Sequence, residues 1–243
     1  WVLPELKDGA IEMAIVGDID VDATIAAVAR TLGALPKRQA KPALTEARAV
    51  KFPAEPFQRH FDIKTEIPKG TVAVYWPTTD SFDIKRGRRL NLLAEVLKDR
   101  LRLKVREELG EAFSPGVGSA ASDVFPGYGY LQSMLTVAPD RAAQVADIIT
   151  TLGNDVAEKG VTEDELERAK KPVLTTLRES ARTNQYWLAA VLSRAQERPE
   201  VLDWSRSRYA DNEAITSAEL TALAKEYLPA KRASRVTVVP AKP

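Results

Sequence analysis

A long amphipathic helix is the feature that most constrains how this chain can fold. Its apolar residues recur at spacings of three and then four: Leu90, Leu93, Leu97, Leu101, Val105 and Leu109. An α-helix has 3.6 residues per turn, so this spacing places all of them on one face. Gly110 follows directly and marks the expected end of the helix. A helix of this kind must bury its apolar face, and we therefore predict a second structural layer against which it packs.

Strand-like segments on both sides of the helix predict that second layer. FQRHFDIK and GTVAVYWPT precede the helix, and the second is rich in β-branched and aromatic residues. GVGSAASD and GYGYLQSMLTVAP follow it as an antiparallel pair, and RASRVTVVP is a last short strand. Further helices are predicted over residues 139–159 and after two capping boxes, Thr162 with Glu165 and Thr216 with Glu219. The order predicts an α+β fold, an antiparallel or mixed sheet with helices packed on one face.

The composition changes between residues 36 and 56, where four prolines and many charged residues occur without periodicity. We interpret this stretch as an extended connector. Before it, residues 10–17 are expected to form a buried strand, and a helix follows. One strand and one helix cannot form a core alone, so residues 1–35 are interpreted as the tail of a preceding domain. Residues 57–243 are then a complete domain. Because the first residue is Trp1, we expect the chain to be a piece of a longer one.

Composition removes several classes of function. The formal net charge is +1, which gives no electrostatic reason to expect a nucleic-acid or membrane partner. Cysteine is absent, and His60 is the only histidine. A protein zinc site usually needs two or three histidines, so no metal site is expected in this chain. His60 is predicted to be a surface residue on a strand, with a role as ligand or base as the alternative. No HxxEH, phosphate-loop or nucleophile-elbow motif is present, and no self-sufficient catalytic centre is predicted.

Three stretches together resemble the C-terminal part of the pitrilysin/insulinase-type zinc peptidases, the M16 family. The first is IEMAIVGDIDVDATIAAVARTLGALP, which resembles the strand, Gly-Asp turn and helix that close one of the family's repeated domains. The second is LLAEVLKDRLRLKVREELGEAFSPGVGSAASDVFPGYGYLQ, which resembles the long helix and following strands of the next. The third is GVTEDELERAKK, with RTNQYWL after it. In this order they cover nearly the whole chain.

The resemblance implies a composite enzyme. Proteins of the family are built from four homologous α+β domains that enclose a chamber, with zinc held by HxxEH and a further Glu in the first domain. The resemblance places this chain in the half that binds no metal, so it should be inactive alone. It also implies that the partner is an HxxEH-containing half, in the same polypeptide or as a separate subunit. Zinc is expected in that half, and the substrate is a peptide. Exported bacterial relatives favour a periplasmic location, and a cytoplasmic one stays open.

Two residues carry the implied contact with substrate. In the family, an Arg and a Tyr seven residues apart reach the substrate near the zinc, and these positions fall on Arg106 and Phe113. Arginine offers charge-assisted donors to a peptide carbonyl, whereas phenylalanine lacks the hydroxyl that could donate to an oxyanion. From the residues alone, the favoured interpretation of Arg106 is a cation at a helix C-terminus, and that of Phe113 is a strand residue packed under the helix. Phe113 also leaves a second hypothesis open, a peptidase-like scaffold without catalysis.

Overall fold

The computed structural model describes residues 2–109 and 115–241. Two compact units divide the chain: Trp1–Thr45 with Thr175–Tyr209, and Glu46–Leu174 with Ala210–Pro243. The helices of the described residues are α1 (Leu3–Asp8), α2 (Val21–Arg30), α3 (Ile84–Leu109), α4 (Ala142–Lys159), α5 (Glu163–Ser180), α6 (Glu200–Glu213) and α7 (Ser217–Tyr227). The strands are β1 (Gln58–Ile63), β2 (Gly70–Pro77), β3 (Gly116–Ala121), β4 (Gly129–Val137) and β5 (Ser234–Pro240).

A mixed five-stranded sheet forms one layer of the second unit. The strand order is β1-β5-β2-β4-β3. Every neighbouring pair is antiparallel except β1 and β5, which run parallel. The predicted α+β fold with a mixed sheet is therefore confirmed. The last strand, β5, does not lie at an edge but is inserted between β1 and β2.

The helices α3, α4 and α7 share one core with alternate residues of the sheet. In β2, the fully buried residues are Val72, Val74 and Trp76, each two positions apart, as expected where one face of a strand packs inward. The predicted stripe of α3 is fully buried from Leu90 to Val105. The side chain of Leu109, at the end of the stripe, lies outside the described residues. The long helix therefore buries the face that its spacing predicts.

Residues 10–17 differ from the prediction, since they form no strand. The physical reason is that this segment lacks a neighbouring strand among the described residues. A strand needs a neighbour, and no described residue makes a backbone hydrogen bond with this segment. The helix after it is present as α2, where the Asp20 carboxylate caps the N-terminus by accepting from the Ala23 N–H at 2.8 Å. The short helix α1, before the segment, was not predicted.

A partly buried ion pair joins α5 to α3 at the first predicted capping box. Arg100 donates from Nε and Nη2 to the two carboxylate oxygens of Glu165, at 2.6 and 2.8 Å. The Thr162 N–H donates to the same carboxylate at 2.9 Å, and the Glu165 N–H donates back to the Thr162 hydroxyl at 3.3 Å. The capping box is therefore confirmed. The Arg100 hydrogen bonds are the main cause that lowers the pKa of Glu165 to about 2.

We expect Glu165→Gln to lower the free energy of unfolding by about 2 kcal/mol at pH 7. The folded-state pKa of Glu165 lies below its ordinary value of 4.5, so its contribution is present above pH 4.5 and is lost as the pH falls towards 2. The deficit of the variant should therefore shrink between pH 5 and pH 3 in urea unfolding. Glu167→Gln is the control, because this carboxylate on the same helix is 71% exposed. A deficit that stays constant with pH would contradict the assignment.

Candidate functional site

The helix α3 presents Arg106 to solvent close to its C-terminus. Arg106 follows the buried Val105, so it lies about 100° around the helix from the apolar stripe. Its side chain is exposed, and it forms no hydrogen bond or ion pair with a described residue. Neighbouring ions are paired among themselves, with Lys104 bound to Glu108 at 2.8 Å. Arg106 is thus a charged donor that the described part of the fold leaves available.

The surface beside Arg106 combines charge with apolar area. One turn earlier on the same face, Arg102 donates to the Asp99 carboxylate at 2.8 Å. Leu103, also on this face, is 46% exposed. A partner that covers this end of α3 would meet a guanidinium beside an exposed leucine, which is chemistry suited to an extended peptide or another protein.

The second predicted contact residue, Phe113, lies outside the described residues, so its position relative to Arg106 stays a prediction. The described chain resumes at residue 115, and β3 begins at Gly116. In sequence, the two predicted residues are seven positions apart.

The single histidine lies on the exposed edge strand β1, as the surface interpretation predicts. His60 Nδ1 lies 2.8 Å from the Thr237 hydroxyl, and Nε2 lies 3.4 Å from the Asp62 carboxylate. All six residues of β1 are exposed, so these contacts are open to water. Contacts of this kind between exposed groups contribute little, and the arrangement gives no enclosed space for a reacting group.

Neither a metal-binding group nor a membrane-spanning helix occurs among the described residues. Within residues 2–109 and 115–241, no three His, Cys, Asp or Glu side chains are grouped so that they could hold a metal ion. Over the same ranges, no helix combines the length and the apolar character needed to cross a bilayer. The donor set of these residues therefore does not fit a zinc ion.

An aromatic cluster that sequence reasoning missed lies at one end of the sheet. The ring of Phe52, in the predicted connector, packs against Tyr128 and Tyr130, with centroids 5.8 and 6.2 Å apart. Tyr130 meets Tyr75 edge-on at 5.5 Å. Such offset and edge-to-face pairs stabilise aromatic clusters. The contacts fix part of the connector against the sheet, although its proline-rich composition predicts only an extended link.

Beside this cluster is a cavity of about 570 Å³, which we call the connector cavity. Its walls come from the connector, from the end of β2 and from the residues around the start of β5. The lining residues are Val50, Lys51, Phe52, Pro53, Ala54, Glu55, Pro56, Pro77, Thr78, Pro126, Gly127, Lys231, Arg232 and Ser234. Segments far apart in sequence meet here, so no local motif could have indicated the cavity.

Comparison with known proteins identifies the family. A family model described as "Peptidase M16 inactive domain" matches residues 6–173, which is more than half of the chain. No curated protein matches the chain. The assignment to a family therefore rests on the match to the family model and not on a curated relative.

Solved structures share the fold at low sequence identity. A peptidase M16 inactive domain from Pseudomonas fluorescens is 18% identical with a TM-score of 0.71, over 94% of this chain and 54% of that one. The periplasmic protease PqqL from Escherichia coli is 17% identical with a TM-score of 0.69, over 93% of this chain and 25% of that one. A chain of complex III2 from Candida albicans is 14% identical with a TM-score of 0.70, over 91% of this chain and 53% of that one.

This chain thus spans between a quarter and about half of these structural relatives. At such identities the likeness shows the fold alone, and it agrees with the mixed sheet and its helices described above. The family follows from the model match, which covers α3, the strands on both sides of it and most of the first unit's N-terminal segment. The chain belongs to the peptidase M16 inactive-domain family.

Proposed function

We propose that this chain is the non-catalytic half of a zinc-dependent M16-type peptidase, which completes a substrate chamber for an HxxEH-bearing half. The observation that carries the proposal is the match of residues 6–173 to the inactive-domain model. Zinc is assigned to the partner half and peptide hydrolysis to the assembled pair. A periplasmic location is proposed with it, since one structural relative is a periplasmic protease.

The proposed domain division assigns residues 1–35 to a preceding domain, 36–56 to the connector and 57–243 to a complete domain. Support comes from the apolar surface of the first segment. Val21 and Ile25 on α2 are each 62% exposed, and Ile15 is also exposed. Exposed apolar side chains clustered in this way are typical of a surface that another element covers. The two compact units of the structure are defined by packing contacts, whereas the proposed domains are defined by the repeated domains of the family. The two divisions of the chain therefore differ.

Within the assembled enzyme, we assign Arg106 and Phe113 to the contact with substrate. The guanidinium of Arg106 is exposed and pairs with no described residue, so it can donate charge-assisted hydrogen bonds to a peptide carbonyl. Phe113 would contact the substrate through its ring, and the hydroxyl that a tyrosine would bring is missing. The proposed enzyme therefore binds the peptide with this half and performs the zinc chemistry with the other.

The direct test combines this chain with an HxxEH-containing half from the same genome, either fused or as a separate subunit. A quenched fluorescent peptide should be cleaved only when both halves are present, and a chelator should abolish cleavage. Replacing the first His of HxxEH in the partner is the matched control, because it removes the metal site and leaves this chain unchanged. Cleavage by the partner half alone at the full rate would refute the proposal, as would the absence of complex formation.

We expect Phe113→Tyr to raise kcat of the assembled enzyme about tenfold, because the new hydroxyl can donate to the oxyanion that forms on the peptide. A preorganised donor in other enzymes contributes more, on the order of a hundredfold, whereas a newly introduced hydroxyl is not preorganised. The measurement is single-turnover cleavage by the two variants at saturating enzyme. Phe113→Leu is the control, since it changes the ring without adding a donor.

A scaffold without catalysis is the alternative, and Phe113 is the observation that favours it. One structural relative is a chain of a multisubunit assembly, complex III2. If the protein is a scaffold, the two halves still associate, but neither the natural chain nor the Phe113→Tyr variant supports peptide cleavage. Size-exclusion chromatography together with the peptide assay therefore separates the two functions.

A further inference from the structure

The cations of the connector cavity have no carboxylate partner in the part of the chain that the structure describes. Lys51, Lys231 and Arg232 line it, and none of them forms an ion pair with a described residue. Glu55 is the one acidic residue among the lining residues. Elsewhere in the same unit, several arginines are paired, as Arg100 is with Glu165. The cavity thus carries a local excess of positive charge, which favours an anionic ligand.

The fold holds the central cation in place. Arg232 donates from Nη2 to the Pro77 carbonyl at 3.1 Å, and its guanidinium lies 5.7 Å from the centre of the Tyr227 ring. Its Nε–H is shielded from solvent and has no hydrogen-bond partner among the described residues. The Thr78 hydroxyl in the same wall is shielded and unpartnered in the same way. Buried polar groups are nearly always hydrogen-bonded, so the wall holds more donor capacity than the described residues use.

The remainder of the lining is apolar. Val50, Phe52 and four prolines form much of the surface beside the cations. A bare inorganic anion would leave this surface in contact with water, whereas a ligand with an apolar body would cover it. The volume of about 570 Å³ also lies within the range of roughly 300–1,000 Å³ that is typical of small-ligand pockets. A carboxylate attached to an apolar group satisfies both parts of the lining.

We propose that the connector cavity binds the C-terminal carboxylate of a peptide that ends in an apolar residue. Lys51, Lys231 and Arg232 bind the carboxylate, and Phe52 with the prolines contacts the terminal side chain. None of the lining residues belongs to α3, and Arg106 lies about 33 Å along that helix from its first residue. The site is therefore distinct from the proposed contact at the scissile bond. It does not depend on the proposed function, because binding is measured on this chain alone.

The first experiment compares ligands. The ¹⁵N-labelled chain is titrated with acetyl-Ala-Ala-Leu bearing a free carboxylate, with its C-terminal amide and with inorganic phosphate, at constant ionic strength. We expect the free acid to shift the amide signals of Thr78, Gly127 and Ser234, and to bind at least about tenfold more tightly than the amide. Equal binding of acid and amide, or no binding of the acid, would overturn the proposal. Phosphate that binds as tightly as the peptide would overturn it as well, because the apolar wall would then contribute nothing.

The second experiment compares variants. Lys231→Gln and Lys51→Gln should each weaken binding of the free acid about fivefold and leave the amide unaffected. Lys225→Gln is the control, since this exposed lysine in α7 lies six residues before Lys231 and outside the cavity. Thermal unfolding should be unchanged in all three variants, because none of these side chains forms an ion pair with a described residue. An equal loss of affinity in Lys225→Gln would show a general charge effect and refute the site.

Discussion

Replacing Gly129 by alanine is expected to lower the free energy of unfolding by about 3 kcal/mol or more. Gly129 is the first residue of β4, and the chain that leaves β2 crosses directly over it. An added Cβ would overlap the Thr79 carbonyl oxygen and lie 3.0 Å from the Thr78 hydroxyl. The first of these obstacles is backbone, which cannot rotate away. The Thr78 N–H also donates to the Gly129 carbonyl at 2.7 Å, so movement of the crossing chain would break this bond.

Gly118→Ala in the neighbouring strand β3 is the matched control. A Cβ at Gly118 would have no heavy atom within 4 Å, so the methyl group meets open space. Glycine is disfavoured in strands, and this substitution should leave stability unchanged or raise it by about 0.5 kcal/mol. Urea unfolding of both variants, followed by far-UV circular dichroism, makes the comparison. Similar losses in the two variants would show that glycine itself, and not the crossing chain, determines the effect.

Replacing Arg106 by alanine is expected to lower kcat/KM of the proposed assembled peptidase about a hundredfold. A hydrogen bond from a charged donor to substrate contributes about 1.5–3 kcal/mol, which corresponds to roughly ten- to more than a hundredfold in rate. Stability of the chain should change by less than about 0.5 kcal/mol, because Arg106 is exposed and forms no ion pair with a described residue. The readouts are peptide cleavage by the two assembled halves and thermal unfolding of this chain.

Arg102→Ala tests whether the position or only the charge matters. Arg102 lies one turn earlier on the same helix face, is exposed, and pairs with Asp99. Its removal subtracts the same charge, and the expected loss of kcat/KM is less than about threefold. If both variants lose activity equally, the effect is a general one of charge. If Arg106→Ala cleaves at the natural rate, Arg106 is a helix-end cation of the kind that the dipole alone explains.

Features set by neighbouring residues were predictable from the sequence. The stripe of α3 follows from spacing, and its burial confirms it. Both capping boxes, at Thr162 and at Thr216, are present because each needs only four consecutive residues. The mixed sheet and the helices packed on it were predicted from the order of the strands and helices along the chain. Membership of the M16 family is confirmed by the family model, whereas the roles of Arg106 and Phe113 stay predictions.

Features that depend on distant partners were not predictable. Residues 10–17 form a short apolar run that is typical of a buried strand, yet a strand also requires a neighbour, which the described residues do not provide. The connector cavity joins Lys51 to Lys231 and Arg232, which meet only because β5 returns to the middle of the sheet. The position of β5 itself cannot be inferred from its seven residues. Pairing across such distances is a property of the whole fold rather than of any local pattern.

The central position of β5 has a consequence for biosynthesis. At elongation rates of about 5–20 residues per second, β5 leaves the ribosome roughly 10–30 s after β2. During this interval the facing edges of β1 and β2 have no neighbour, although both flank the place that β5 will occupy. Unpaired strand edges are templates for pairing with other chains. The sheet can therefore close only after β5 has been translated, and until then the nascent chain is exposed to aggregation and depends on chaperones.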